Sequence, residues 1–406
     1  MKKNCIVAQS GGPTAAINAS LAGIIAAAKE DDSFDKIYGS INGIQGVIRK
    51  AFLEFSTRDD AFLSALAKTP AMYLGSCRFR LPTAEEDPSV YEKIFSVFDE
   101  YDAGAFFYIG GNDSMDTVAK LAAYGEKIGS EVRICGCPKT IDNDLVETDH
   151  TPGFGSAAKY VANTVREIAY DTYIYDVNSV TIVEIMGRDA GWLTAASALA
   201  RTKNSPAPHL IYLPELPFDK DAFIEKVRAL LPLYRNVIVC VSEGIRAADG
   251  SYFSATQAVE DKFGHAQLSG VGHYLEYYVK EQLSVKVRSI ELNVLQRCAG
   301  HITSKADLDE ALLLGRATVA HASAGETAFM TCLNRVSDDP YKCEIASVPV
   351  DKVANMAKPV PRSMISENGD DVTEEMIRYL KPLIAGEVPI AYENGVCDYL
   401  PVEHLL

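Results

Sequence analysis

Short apolar runs rich in Val, Ile, Phe and Tyr recur along the chain. Each is stopped by a glycine-containing loop and followed by residues with helical spacing. Asn4–Gln9 leads through Ser10-Gly11-Gly12-Pro13-Thr14 into an apolar helix predicted over Ala16–Lys29. Ala105–Ile109 leads through Gly110-Gly111-Asn112-Asp113-Ser114 into a helix reaching about Tyr124. Val132–Gly136 ends in Cys137-Pro138-Lys139-Thr140-Ile141-Asp142-Asn143-Asp144, and Val180–Met186 in Gly187-Arg188-Asp189-Ala190-Gly191 before a helix predicted over Trp192–Ala200. Asn236–Val241 runs into Ser242-Glu243-Gly244-Ile245, and Val285–Ile290 reads as a further strand. Strands alternating with helices predict mainly parallel sheets covered on both faces, the α/β class. Ligands of such sheets bind at the carboxyl ends of the strands, where every unusual residue above lies.

No internal repeat or low-complexity tract interrupts this pattern. A fresh series of strands begins after the helix starting near Gly155, and beyond about Arg297 the chain is expected to rejoin the first unit. The expectation is two Rossmann-like domains with the active site in the cleft between them. One takes residues 1–156 plus about 297–360, the other 157–296. An extension of about 361–406 has no predicted place, because the region from 350 has several prolines and weak periodicity.

Composition narrows the function classes. The chain has 406 residues, 48% of them hydrophobic and 23% charged, an ordinary balance for a soluble protein. No apolar run reaches the ~18 residues of a membrane span, and the lysines near the start precede a strand rather than a signal peptide. A net charge of −16 argues against nucleic acid and acidic membranes as partners. The nine cysteines are scattered through apolar segments, which reads as reduced thiols of a cytoplasmic protein. Cys135-Gly136-Cys137 has no second Cys or His pair at zinc spacing, and reads as structural.

Several loops carry candidate chemistry. Gly11-Gly12 between strand and helix suits a phosphate on the helix N-terminus, or is merely a tight turn. It is neither a Walker loop nor G-x-G-x-x-G. Asn112 and Asp113 offer oxygen to Mg²⁺ carrying phosphate, or cap a helix. Pro138–Asp144 is the strongest segment. Two carboxylates two residues apart, preceded by a lysine and a hydroxyl, fit phosphoryl transfer: one accepts a hydroxyl proton while the other helps hold a metal. The alternative is an Asp-rich turn. Met186-Gly187-Arg188 and Glu243 could clamp a phosphate or sugar, and Arg288 and Arg297 could grip a phosphomonoester; a solvated face is the ordinary explanation of each arginine.

Taken together, these segments resemble the phosphofructokinase family of the non-ribokinase type. The order matches over roughly residues 4–330: the Gly-Gly-Pro loop, Leu74-Gly75-Ser76-Cys77-Arg78, Gly-Gly-Asn-Asp-Ser, Pro-Lys-Thr-Ile-Asp-Asn-Asp, Gly153-Phe154-Gly155-Ser156-Ala157, Met-Gly-Arg, Glu-Gly-Ile and Gln296-Arg297. The resemblance implies that Gly11, Lys139 and Arg78 contact the phosphoryl donor. It puts Asn112 at the magnesium position with Asp144 nearby, and makes Asp142 the general base. Thr140, Met186, Gly187, Arg188 and Glu243 would hold the sugar phosphate, with Arg297 and Arg288 on its 6-phosphate. Mg²⁺ is the implied cofactor and a homo-oligomer, dimer or tetramer, the implied assembly.

ATP-using members resemble Gly-Gly-Asp-Gly-Ser and Pro-Gly-Thr-Ile-Asp-Asn-Asp. Asp113 and Lys139 stand here in place of the two glycines, as in the pyrophosphate-dependent branch. A carboxylate where the α-phosphate of ATP would lie repels it, and a lysine beside the transferring group offsets charge. The expected reaction is reversible phosphoryl transfer from pyrophosphate to the 1-hydroxyl of fructose 6-phosphate, a glycolytic step. Three departures stand out. Asn112 replaces an aspartate, which implies weaker Mg²⁺ binding. Ser179 replaces an arginine that relatives lend to a neighbouring subunit, and Val294 replaces a histidine or tyrosine. The rivals are an ATP-dependent enzyme of the same fold, a non-catalytic regulatory subunit, which the intact Asp142 opposes, and a nicotinamide-dinucleotide-binding protein, which lacks its fingerprint here.

Overall fold

The computed structural model describes residues 2–253, 259–260, 266–267 and 270–403. Among them a seven-stranded sheet is built from β1 (Lys3–Gln9), β2 (Phe34–Ser40), β3 (Phe52–Glu54), β4 (Ala103–Gly110), β5 (Arg133–Pro138), β12 (Phe329–Asp338) and β13 (Tyr341–Pro349). Its order is β13-β12-β5-β4-β1-β2-β3, parallel except for β3 and β13 at the edges. A four-stranded, wholly parallel sheet takes β6 (Ser179–Ile185), β7 (Leu210–Tyr212), β8 (Asn236–Ser242) and β11 (Lys286–Glu291) in the order β11-β6-β8-β7. The small antiparallel pair β9 (Val259–Glu260) and β10 (Ala266–Gln267) lies between β8 and β11 in the chain.

Central strands buried on both faces explain why their sequences are continuous apolar runs rather than alternating ones. Ile6 and Ala8 of β1 pack on one side of the large sheet, Cys5 and Val7 on the other. The small sheet likewise splits Val183 and Ile185 from Val180 and Ile182. Helix Ile17–Glu30 lies so close to helix Lys305–Ser323 that a Cβ on Gly23 would stand 2.2 Å from the Leu312 carbonyl oxygen, and one on Gly315 2.2 Å from that of Ser20. Glycine is required at both because the two backbones touch.

The strands expected from the apolar runs form, mostly to within a residue or two of the predicted ends. The helix expected over Trp192–Ala200 is a single α-turn, Trp192–Ala195, continued as a tighter helix, Ala196–Ala200. Much of the region after 350, unplaced by its sequence, packs against the two sheets among the described residues. Residues 355–360 cross between the two sheets, and helix Glu374–Leu380 packs Met376, Tyr379 and Leu380 into the core beside Trp192. None of the cysteines is disulfide-bonded; six are buried and Cys298, Cys343 and Cys397 half-buried.

Candidate active site

The carboxyl ends of β1, β4 and β5 face those of β6, β8 and β11 across a cleft. On the large-sheet side, Gly11 adopts φ +82°, open to glycine without strain. The Ser76 hydroxyl donates to the Gly11 carbonyl at 2.8 Å. Lys139, the first residue after β5, reaches back over this loop: its Nζ donates to the Gly12 carbonyl at 2.7 Å and would lie 3.1 Å from a Cβ on Gly11. Only 2% of Lys139 is exposed. Burial drives its pKa down to about 8, against the pull of Asp142 and Asp144. The turn after β4 also needs glycine, since a Cβ on Gly110 would meet Ser114 Oγ at 1.9 Å. Asp113 stands exposed in the first turn of helix Asn112–Ile128. Exposed Arg78 follows Ser76 and Cys77 out of the loop that touches Gly11.

Asp142 and Asp144 are half-buried beside Lys139. Thr140 Oγ1 accepts the Asp142 backbone N–H at 3.1 Å, and Asn143 between the two acids takes φ +55°. Asn143 is held from both sides, donating to the Tyr379 hydroxyl at 2.8 Å and accepting the Thr151 N–H at 3.1 Å. Burial raises the Asp142 pKa, opposed by Lys139, Arg188 and Arg297. Burial and then the Asp142 charge raise Asp144 to about 7. Such a crowded carboxylate pair fits a hard divalent cation that carries phosphate. Asn112 fits it less well. Its Oδ1 already accepts the Asn355 N–H at 2.6 Å, and its Nδ2 donates to the Met356 carbonyl.

Across the cleft, the turn after β6 carries Met186, Gly187 and Arg188. Gly187 has φ +137° and its N–H reaches Glu243 Oε1 at 3.3 Å. Burial pushes Glu243 up to about 7. Met186 N–H donates to Gln296 Oε1 at 3.3 Å. A cavity of about 70 Å³ is lined by Met186, Glu243, Gln296, Asn293, Glu184 and Glu291, the last two directly opposed in the β6–β11 pairing.

Together, glycine turns at helix N-termini on one sheet, a buried lysine, paired aspartates and a small acid-lined recess on the other suit phosphoryl transfer. The phosphofructokinase family model matches residues 4–321. The chain belongs to the phosphofructokinase family. The pyrophosphate–fructose 6-phosphate 1-phosphotransferase of Xanthomonas campestris pv. campestris (strain B100) is 42% identical over 405 residues, 99% of this chain and 96% of that protein. A solved pyrophosphate-dependent phosphofructokinase from Nitrosospira multiformis superposes with a TM-score of 0.90 at 37% identity, covering 98% of this chain and 96% of that one. Another from Marinobacter aquaeolei gives 0.88 at 36%, covering 98% and 95%.

Within this phosphofructokinase fold, two expected residues stand elsewhere than their motifs suggested. Arg288 is not brought to the cleft by its own chain. It lies three residues short of the end of β11 and pairs with Asp171 at 3.0 Å on the surface. Arg297, expected on the 6-phosphate, places its Nη1 3.4 Å from where a Cβ of Gly12 would be, on the donor side. Four contributors were not singled out from sequence: Glu184, Asn143, Tyr379 and Lys358. Glu184 had a signal, as the lone acid in an apolar strand. Lys358 and Tyr379 had none, since their segment lacks periodicity. Among the described residues Asp149, His150 and Cys343 are close enough to share a metal ion. That cluster is already closed: the imidazole bridges Asp149 at 2.8 Å and Glu310 at 2.7 Å, and Arg335 pairs with Asp149 at 2.9 Å.

Proposed function

We propose that this enzyme transfers a phosphoryl group from pyrophosphate to the 1-hydroxyl of fructose 6-phosphate, giving fructose 1,6-bisphosphate and phosphate. The observation that carries the donor choice is Lys139. Its amine lies buried over Gly11-Gly12, where a glycine would leave room and no charge. The names of the relatives at 38–42% identity over nearly the whole chain support the same donor and acceptor.

The cleft lies between a donor-binding unit on the larger sheet and a sugar-phosphate unit on the smaller. Asp142 accepts the proton of the 1-hydroxyl as that oxygen attacks. Burial raises its pKa, which makes it a stronger base than an exposed carboxylate. Lys139, Arg78 and the backbone of Gly11 hold the pyrophosphate and meet the charge that grows on the transferring group. Thr140, Met186, Gly187, Arg188 and Glu243 orient the sugar, and Arg297 holds phosphate where the two substrates meet. Arg288 serves the 6-phosphate only through an assembly of subunits, as a homo-oligomer would allow. Asp144 would hold Mg²⁺, which would supply charge neutralisation on the phosphate oxygens. No helix of the described residues is long and apolar enough to cross a membrane. A cytoplasmic, glycolytic role belongs to the same reading.

The test is a donor panel of pyrophosphate, ATP and GTP with fructose 6-phosphate. Pyrophosphate should give the highest kcat/KM; a preference for ATP would overturn the donor assignment and leave Asp142 in place.

A further inference from the structure

Residues 355–360 cross the cleft as a strap, a span of up to ~20 Å for six extended residues. At one end the strap grips the donor helix: Asn355 N–H and the Met356 carbonyl face Asn112, and Asn355 Nδ2 donates to Asp116 at 2.9 Å. In the middle, Lys358 N–H donates to the Asp144 carbonyl at 2.7 Å, and its ammonium to the Thr148 and Asp149 carbonyls at 3.0 and 2.7 Å. At the far end the strap meets the sugar side. Trp192 Nε1 donates to the Lys358 carbonyl at 2.9 Å, and Val360 and Gly191 N–H share Glu215 Oε1 at 2.9 and 2.8 Å.

We infer that Asn112 is a positioning residue, which clamps this strap and so sets the catalytic loop and the Met186–Gly191 turn relative to the donor. The chemistry of the contact selects the residue type. The strap presents one N–H and one carbonyl, and a carboxamide answers both, with an acceptor and a donor. A carboxylate accepts from Asn355 but points a lone pair at the Met356 carbonyl. This gives a reason for asparagine where ATP-using relatives carry aspartate. The inference rests on the pyrophosphate reading for its donor, but not for its geometry.

Trp192 is the chain's single tryptophan, buried, hydrogen-bonded to the strap, with the Lys358 ammonium 5.3 Å from its ring. Its emission therefore reports the strap. The experiment titrates wild type, Asn112→Asp and Asn112→Ala with magnesium pyrophosphate in the absence of sugar, reading Trp192 emission and calorimetric binding in parallel. In the wild type, binding should change the emission. Both variants should still bind with Mg²⁺ dependence shifted less than about twofold, yet lose the emission change. Their kcat should fall about fivefold, the scale of an ordinary hydrogen bond lost between exposed partners. Emission that stays flat while wild type binds overturns the inference. So does Asn112→Asp binding Mg²⁺ more tightly and Asn112→Ala more weakly, which would make residue 112 a metal ligand. If pyrophosphate does not bind at all, the donor reading fails, and the same comparison with MgATP tests the clamp.

Discussion

The two walls of the cleft differ in the buried groups they present, although Asp142 and Asp144 stand beside the lysine of one and Arg188 beside the glutamates of the other. On the large-sheet wall a desolvated lysine lies over a glycine turn, with Arg297 beside it. On the small-sheet wall three glutamates, Glu184, Glu243 and Glu291, line the recess. In the proposed reading the first wall receives the donor anion and the second offers acceptors to the sugar hydroxyls. The contrast explains how a chain of net charge −16 handles anionic substrates.

Asp142 stands between the walls, and its loss should be the most damaging. Asp142→Asn should lower kcat by about 10²–10⁴-fold with KM little changed. A variant retaining more than a tenth of wild-type kcat would remove the base from this position. Lys139→Gly strikes the anionic wall alone. It should cost about 10²–10³-fold in kcat/KM for pyrophosphate, the usual loss of a preorganised charge at the transition state. Equal losses when Glu291→Gln is assayed for the same donor would erase the contrast between the walls.

The pH profile sharpens the comparison. Asp142 must be ionised, and its raised pKa moves the acid limb above the ordinary carboxylate range. Lys139 must be protonated, and its pKa of about 8 puts the alkaline limb there, with about a tenfold loss by pH 9. Lys139→Arg should carry the alkaline limb upward while leaving the acid limb in place; an unmoved alkaline limb would assign it elsewhere. Asp113 acts from solvent, where screening weakens its repulsion. Asp113→Gly should raise the ATP-to-pyrophosphate kcat/KM ratio by only about two- to fivefold. No change in the ratio would mean that the Lys139 wall alone excludes nucleotide. Tyr379→Phe removes the hydroxyl between Asn143 and the Asp149 carbonyl. About a threefold fall in kcat should follow, with urea unfolding showing about 1 kcat-independent kcal/mol of lost stability; unchanged kcat would make the tyrosine purely structural.

The large-sheet wall was far more legible in the sequence than the bracing behind it. Gly11, Asp113 and Lys139 each sit within a few positions of a strand end, so local pattern puts them at one rim. The strand–loop–helix alternation likewise exposes both sheets. What pattern does not carry is contact between distant segments. Asn143 reads as a turn residue until Tyr379, 236 positions on, is seen against it. Arg297 ends a tight 3₁₀ turn, Asn293–Arg297, whose direction no periodicity reveals, so its approach to Gly12 was hidden. The sequence of β12 and β13, split by Asp339-Pro340, gave no strand expectation, although together they close one edge of the larger sheet.

That edge also dictates an order in time. β12 lies against β5 with Phe329 opposite Cys135, and helix Lys305–Ser323 presses its glycine onto the helix Ile17–Glu30. On the ribosome the first half of the larger sheet must therefore wait, with β5 lacking its neighbour, until almost the whole chain has been made. The strands of the smaller sheet are gathered between residues 179 and 291, although the core on one of its faces also takes Met376, Tyr379 and Leu380 from the later helix. The nascent chain thus cannot close the edge of its donor wall until β12 and β13 have left the ribosome, and the bracing from residues 355–380 follows later still.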